Sequence, residues 1–253
     1  MKKRFFAHRL VLLVAVFSLM VIPLAALDSD QETDQQKSAE QAPADTGGFF
    51  SKVSWHLAGS ILFFPEHNGV NSDPMPVLPS PGLGLSYPIT NIPDGQLRLE
   101  LTLDFYWASY GWDPKLGRAI PVAIENRTAQ VLGFPLALQA AAYWDLTSFM
   151  TVRAYAGPTA DLRIVIMAAD LNEGLDDLGK IRGEVNSVRD YFWSSGRWFM
   201  PVIGAGVDFT LNDNFKLGID MRIWAPIYRL WSGESLPAIE GWRFGPGVRI
   251  TIR

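Results

Sequence analysis

Apolar and polar side chains alternate with a period of two from Leu97 to Tyr110. Four leucines and Trp107 fall on one face, while Arg98, Glu100 and Asp104 fall on the other. This is the period of a β-strand, in which successive side chains point to opposite faces. The run is longer than the roughly 9 to 11 residues that a tilted strand needs to cross a bilayer, and strands average only about 5 to 6 residues in soluble domains. The stretch therefore predicts a membrane-spanning strand.

The same alternation recurs along the chain and predicts eight strands in all. Residues 131–144 could also suit a helix because of their alanines. We interpret them as a strand because Pro135 would break a helix interior and the stretch is too short for a membrane helix. The predicted strands span residues 52–63, 82–87, 97–110, 131–144, 152–164, 199–210, 215–225 and 242–253.

Long loops and short turns alternate between these strands. The long ones include residues 65–81, which are rich in Pro, Asn and Asp, and residues 167–196. In the second, Leu and Val recur as on one helical stripe and indicate a surface helix. Gly179 and Gly183 argue against this helix because glycine has a low helix propensity. An even strand number with long loops on one side is typical of bacterial outer-membrane barrels. The pattern predicts an all-β, eight-stranded antiparallel up-and-down transmembrane β-barrel over residues 49–253.

The alternation alone does not decide which face looks outward. In a soluble barrel such as a lipocalin, the apolar set faces inward and the polar set faces water. Aromatic residues favour the membrane alternative, because they lie at the strand ends of the apolar face and such rings are favoured at bilayer interfaces. They form two predicted girdles: Trp55, Tyr87, Trp144, Phe209 and Phe215 at the periplasmic end, and Phe63, Trp107, Phe199 and Trp242 at the other end.

The polar face mixes glycine with charges of both signs, as expected for a narrow lumen filled by ion pairs. Charges taken out of water must be paired, so we expect Asp220 and Arg222 to be coupled and the lumen to be occluded. Inward glycines such as Gly82 and Gly204 are expected to admit bulky neighbours. The predicted network is Arg98, Glu100, Asp104, Arg153, Asp161, Arg163, Asp208, Lys216, Asp220, Arg222, Arg243 and Arg249, with Asp104, Asp161, Asp220, Arg163 and Arg222 at its centre.

Prolines occur within the predicted strands. Each removes a backbone donor from the ladder, and a closed barrel has no edge at which the loss is harmless. We expect bulges to accommodate them at Gly157–Pro158 and Gly245–Pro246. The prolines concerned are Pro135, Pro158, Pro201, Pro226 and Pro246.

The first residues have the features of a bacterial secretory signal. Four basic residues precede an apolar run over residues 10–24, and Ala26 would be the last residue removed. A membrane anchor is the alternative, although the run is near the lower length limit for a spanning helix. We predict a signal peptide at residues 1–26. Residues 27–48 are polar and acidic without apolar periodicity, which predicts a disordered leader.

Charge and composition narrow the function classes. The formal net charge of −4 becomes −8 when the four basic residues of the signal are removed, and an acidic protein lacks the basic surface that nucleic acid requires. The 253 residues include no cysteine, which excludes disulfides and thiolate metal ligands. No metal-ligand spacing, phosphate loop or constellation around His56 or His67 predicts catalysis. We therefore expect no cofactor, no metal site and no enzyme activity.

The whole mature chain resembles the small eight-stranded bacterial outer-membrane proteins of the OmpW, OmpX and OmpA-barrel kind. The resemblance lies in the strand architecture, and it implies an outer-membrane location, contact with outer-membrane lipid and insertion by the barrel-assembly machinery. That machinery reads a last strand ending in an aromatic residue. This chain departs from the pattern because its last strand ends in Arg253.

Three function classes remain open from the sequence. The first is a structural, surface-exposed barrel or a narrow channel for small solutes, and a channel would need a continuous lumen. The second is a host- or ligand-binding surface protein that acts through extracellular loops at residues 65–81 and 167–196. The third, a lipid-modifying enzyme, has the least support, because no His or Ser is suitably placed at a girdle.

Overall fold

In the part of the chain that the structure describes, strands form the barrel wall, and turns and two helices lie between them. The computed structural model describes residues 52–65, 77–113, 118–121, 128–167, 178–232 and 240–252. The predicted signal peptide at residues 1–26 and leader at 27–48 lie outside the described residues. The strands are β1 (Ser54–Leu62), β2 (Leu78–Ile92), β3 (Gly95–Asp104), β4 (Tyr106–Asp113), β5 (Arg118–Pro121), β6 (Thr128–Asp145), β7 (Met150–Gly157), β8 (Thr159–Met167), β9 (Val202–Thr210), β10 (Phe215–Trp224) and β11 (Arg243–Ile252). The helices are α1 (Leu178–Trp193), which a 3-10 turn (Ser194–Gly196) follows, and α2 (Arg229–Ser232).

Backbone pairing closes these strands into one barrel. β1 pairs with β2 and β11, β2 pairs with β3, and the long β6 pairs with β3 and β4 on one side and with β7 and β8 on the other. β7 then pairs with β9, β9 with β10, and β10 with β11. All pairings are antiparallel, β3–β4 and β7–β8 each form one interrupted strand, and β5 makes a hairpin with β4. The predicted eight-stranded antiparallel up-and-down barrel is confirmed.

The prolines of the barrel wall do not create the predicted bulges. The register is continuous at Gly157–Pro158, where β7 and β8 pair with β6, and at Gly245–Pro246, where β11 pairs with β10. Both bulge predictions are wrong, because a missing N–H costs one ladder bond and leaves the pairing of the next residues intact. A register shift occurs instead beside Pro88 of β2. Pro201 and Pro226 lie beyond the ends of β9 and β10.

The wall presents apolar side chains outward and charged side chains inward. On β10, Leu217 and Ile219 are 41% and 55% exposed, whereas Glu100, Arg153 and Asp161 inside the wall are each 1% exposed. A soluble barrel has the reverse arrangement. A continuous exposed apolar wall of this kind is the surface that a barrel turns toward lipid. The chain is therefore a transmembrane β-barrel, and the lipocalin-like alternative is wrong.

Two of the predicted loops contain regular structure. β2 begins at Leu78, so the loop prediction for residues 65–81 is wrong for residues 78–81, where Leu78 and Ser80 are buried and keep the alternation. In the segment 167–196, Met167 still belongs to β8, and α1 confirms the predicted surface helix. The hairpin of β4 and β5 was not predicted. Among the described residues, no helix combines the length and the apolar character needed to cross a membrane.

Inward glycines make room for bulky lumen side chains, as predicted. A Cβ atom added at Gly133 would lie 2.1 Å from Cζ of Tyr106, and one added at Gly204 would lie 2.3 Å from Cζ of Tyr155. Tyr106 is 1% exposed, and its hydroxyl donates to Asp161 at 3.0 Å. The ring therefore has little space into which it could retreat.

Gly133→Ala is expected to lower the free energy of unfolding by about 1 to 3 kcal/mol, the usual cost of overpacking. Gly59→Ala is the matched control, because it is also in a strand but an added Cβ meets nothing within 4 Å. Equilibrium unfolding by urea in lipid vesicles measures both variants. Equal stability of the two would show that the contact with Tyr106 is unimportant.

Candidate functional site: the lumen and its cap

A bidentate ion pair occupies the lower end of the lumen, where β1 begins and β11 ends. Arg249 Nη2 lies 3.0 Å from Glu100 Oε1, and Arg249 Nη1 lies 3.2 Å from Glu100 Oε2. Paired bonds of this geometry are among the strongest that charged side chains make. Tyr143 donates its hydroxyl to Glu100 and accepts from Arg249 at 2.6 Å. We call Arg249, Glu100 and Tyr143 the lower cluster.

Arg98 and Lys216 lie in the same part of the lumen and are partly buried. Arg98 Nη2 donates to Ser54 Oγ at 2.9 Å. Lys216 Nζ donates to Thr151 Oγ1 at 3.3 Å. These two predicted network residues thus bind hydroxyl groups that lie two strands away in the barrel wall.

Two further arginines and three carboxylates fill the middle of the lumen. Arg222 Nη1 lies 2.7 Å from Asp104 Oδ2, and Arg153 lies 2.9 Å from Asp220 and 3.4 Å from Asp208. We call these five residues the middle cluster. These contacts replace the direct ion pair expected between Asp220 and Arg222, although the charge of Asp220 still acts on Arg222. Alternation along one strand does not select the partner: Arg222 of β10 reaches Asp104 of β3, and Asp220 is paired with Arg153 of β7.

The upper cluster is centred on a carboxylate shared by two arginines. Asp161 Oδ2 lies 2.8 Å from Arg163 Nη2 and 2.7 Å from Arg243 Nη2, and the hydroxyl of Tyr106 donates to Asp161. Arg163 Nη1 also lies 2.6 Å from Glu240 Oε1. These five residues, the upper cluster, are at most 5% exposed. Their charges are therefore compensated by one another rather than by water.

Residues 178–200 form a cap that closes the barrel above the upper cluster. Val188 and Phe192 of α1 are buried and belong to one apolar cluster with inward residues of the upper wall. Cζ of Arg163 lies 4.9 Å from the ring centroid of Phe192, within the range of a cation–π contact. The wall residues of this cluster include Leu62, Leu78, Ala108, Val131, Met167, Val202 and Trp224.

Arg197 and Glu240 bind the cap to the wall, and the sequence did not reveal either. Arg197 Nε lies 3.4 Å from Glu240 Oε2, and Tyr228 donates its hydroxyl to the carbonyl of Glu240 at 3.0 Å. Arg197 and Glu240 are 2% and 0% exposed. Both lie in connections between strands, where no alternation marks a side chain as inward.

Burial and neighbouring charges shift the pKa values of two titratable groups in this upper region. Burial raises the pKa of the Glu240 carboxyl, and the guanidinium groups of Arg163 and Arg197 oppose that rise. Burial also raises the pKa of the Tyr228 hydroxyl, with the charge of Glu240 acting in the same direction. The hydroxyl therefore stays protonated at neutral pH and remains a donor.

Little space remains between the lower and middle clusters. The cavity there is lined by His56, Thr102, Gln139 and ion-pair residues, and its volume of ≈ 10 Å³ is about that needed by one water molecule. Nδ1 of His56 makes no hydrogen bond, so no carboxylate orients this imidazole through Nδ1 as in a catalytic triad. Within the part of the chain that the structure describes, no group of three or more His, Cys, Asp or Glu residues could hold a metal ion.

The predicted girdle residues lie on the outer surface at the two ends of the wall. Trp55 and Phe215 are 55% and 42% exposed at the lower end, and Trp107 and Trp242 are 59% and 43% exposed at the upper end. Phe63 is also exposed. The remaining predicted members, Tyr87, Trp144, Phe199 and Phe209, are partly exposed.

Comparison with known proteins gives remote structural likenesses and no family. No family model and no curated protein sequence matches the chain. The matching solved structures include the N-terminal β-barrel domain of OprF from Pseudomonas aeruginosa (12% identity, 79% of this chain and 96% of that chain covered, TM-score 0.39), Neisserial surface protein A (10%, 79% and 94%, 0.41) and the outer membrane protein OprG from Pseudomonas aeruginosa (10%, 79% and 96%, 0.44). Likeness at this level assigns no ligand or activity to the chain.

Proposed function

We propose that this protein is a structural, surface-exposed barrel of the bacterial outer membrane whose lumen is closed to solutes. The observation that carries the proposal is that the lumen is closed in two ways, by ion pairs within it and by an apolar cap above them. Three clusters of buried ion pairs fill it from the lower end upward, and the apolar face of α1 seals it above them. The barrel then acts as an anchor that holds its upper segments outside the membrane.

A channel role has less support from the inward side chains. Eight strands enclose an interior that side chains can just fill, and porin-like aqueous channels occur at about 16 strands. Here large groups fill that interior, among them Arg153, Tyr155 and Trp224, each at most 5% exposed. A solute would have to displace paired charges, and leaving one partner of a buried pair uncompensated costs about 3 to 5 kcal/mol.

Location and partners belong to the same proposal. The outward apolar wall supports contact with outer-membrane lipid, while export by residues 1–26 and insertion by the barrel-assembly machinery follow from the proposed location. Binding of an extracellular ligand through residues 65–81 and 167–196 stays a prediction. The proposed function involves no nucleic acid, no cofactor and no catalysis.

Single-channel recording of the refolded full chain in planar bilayers tests the proposal. We expect no conductance steps above the bilayer baseline, because both closures are present in the native barrel. Heat-modifiable migration in electrophoresis and a strand-dominated circular dichroism spectrum serve as controls that the preparation is folded. Reproducible steps from folded protein would contradict the closed lumen and favour the narrow-channel alternative.

A further inference from the structure

Three tryptophans outside the predicted girdles form a group at the upper end of the barrel. Trp193, Trp198 and Trp231 are 40%, 37% and 46% exposed. The ring centroids of Trp193 and Trp198 are 6.4 Å apart. The indole N–H of Trp231 donates to the carbonyl of Ser195 at 2.8 Å, and its ring lies against Gly196. We call Trp193, Trp198 and Trp231 the aromatic shelf.

The shelf is continuous with the lipid-facing wall. The ring of Trp198 lies 5.8 Å from that of Phe199, which makes a β-bridge with Ala160 of β8. The carbonyl of Trp198 also accepts from the backbone N–H of Asp161 at 2.7 Å. Farther along β8, Ile164 and Ile166 are 54% and 51% exposed on the outer face. The shelf thus adjoins a part of the wall that is apolar up to its upper edge.

Beside the shelf, the upper girdle contains Phe199, which precedes β9, but the outer face of β10 has no aromatic residue at its upper end. The outward residues at the upper ends of β9 and β10 are Ile203 and Ile223, which are aliphatic. Trp107 supplies an aromatic residue to the neighbouring section, since it pairs with Leu132 and Leu132 pairs with Ile164. Tryptophan is favoured at the boundary between headgroups and acyl chains, because its ring is apolar and its N–H is polar.

We propose that the aromatic shelf is a lipid-contact surface that rests in the headgroup region of the outer leaflet and extends the upper girdle beyond Phe199 to the connection that follows β10. Lipid is the favoured occupant because the shelf continues a wall already turned toward lipid. The inference rests on the proposed membrane placement. It adds that the cap is held against the membrane surface as well as against the barrel.

Spin labels at single cysteines test this placement, since the native chain contains no cysteine and each variant carries one label. The test positions are Trp193→Cys and Trp231→Cys. Leu217→Cys on the outer wall is the lipid reference, and Ser187→Cys on the exposed side of α1 is the water reference. Each full-length variant is reconstituted into phosphatidylcholine–phosphatidylglycerol vesicles. Collision with oxygen, which concentrates in lipid, and with a water-soluble nickel chelate is then measured.

We expect the labels at positions 193 and 231 to give collision ratios between those of the two references. Ratios equal to that of Ser187→Cys would place the shelf in water and overturn the inference. Protection from both reagents would also overturn it, because a second copy or another protein would then cover the shelf. If Leu217→Cys itself lacked oxygen access, the membrane placement would be wrong, and the inference that rests on it would be overturned as well.

Fluorescence of the unlabelled protein gives a second test that keeps the aromatic rings. In vesicles of lipid brominated near the headgroup, Trp193→Phe and Trp231→Phe should each remove emission that the bromine quenches. Trp224→Phe is the matched control, because Trp224 faces the lumen and is 4% exposed. It should remove emission that the bromine does not quench. Loss of unquenched emission in all three variants would contradict lipid contact at the shelf.

Discussion

Replacement of Asp161 by alanine is expected to lower the free energy of unfolding by about 3 to 5 kcal/mol, the range found when one partner of a buried ion pair is removed. Asp161 accepts from Arg163, Arg243 and Tyr106, and its side chain is 0% exposed. Its loss leaves two guanidinium groups short of a shared counter-charge. Urea unfolding of the refolded protein in detergent or lipid gives the free energy.

Asp190→Ala is the control for this prediction. Asp190 also pairs with an arginine, Arg189, but the two side chains are 71% and 54% exposed. Exposed pairs contribute little, so its stability should hardly change. In the background of Asp161→Ala, Arg243→Met should recover part of the lost stability, because it removes one uncompensated charge. Equal losses from the two aspartate variants, with no recovery in the double variant, would show that the upper cluster does not stabilise the barrel.

Replacement of Phe192 by alanine is expected to release the cap while the barrel stays folded. Phe192 is 1% exposed, and truncation of a buried phenylalanine costs about 3 to 5 kcal/mol. α1 contacts the wall mainly at β8, whereas the wall strands hold one another by continuous ladders. The loss should therefore appear as local opening of α1.

Hydrogen exchange followed by mass spectrometry measures this local opening. Peptides from residues 185–192 of Phe192→Ala should exchange faster than those of the native protein, while peptides from β10 and β11 keep their protection. Ser187→Ala is the control, since Ser187 is exposed on the same helix. Unchanged exchange in Phe192→Ala would contradict the role of this ring in closing the barrel.

The strands and their faces were predictable because a membrane barrel imposes one rule on every wall residue. Outward side chains must be apolar and inward ones must fit a narrow polar lumen. The alternation along β10 therefore assigns Leu217 to the outer face and Gly218 to the lumen. Individual ion pairs do not follow from that rule. Arg222 pairs with Asp104, 118 residues away, because barrel curvature and side-chain length select the partner.

The cap was the least predictable part of the structure. A helical stripe indicated α1, and the helix does form. The burial of Arg197 and Glu240, however, depends on how two separate connections fold over the barrel end. No local periodicity in the sequence predicts this contact between Arg197 and Glu240. The register shift at Pro88 is a similar case, because it reflects the pairing of β2 with β3 rather than a motif in either strand.

Thiol labelling of single-cysteine variants tests the central claim, which is that the apolar outer wall of the barrel lies in lipid. Leu101→Cys and Leu217→Cys lie on the outer wall, and Asp213→Cys lies in an exposed turn of the same barrel. In vesicles, the two wall variants should react with a lipid-soluble maleimide and not with a charged one, while Asp213→Cys reacts with both. Reaction of Leu101→Cys and Leu217→Cys with the charged reagent would place the wall in water and contradict the account.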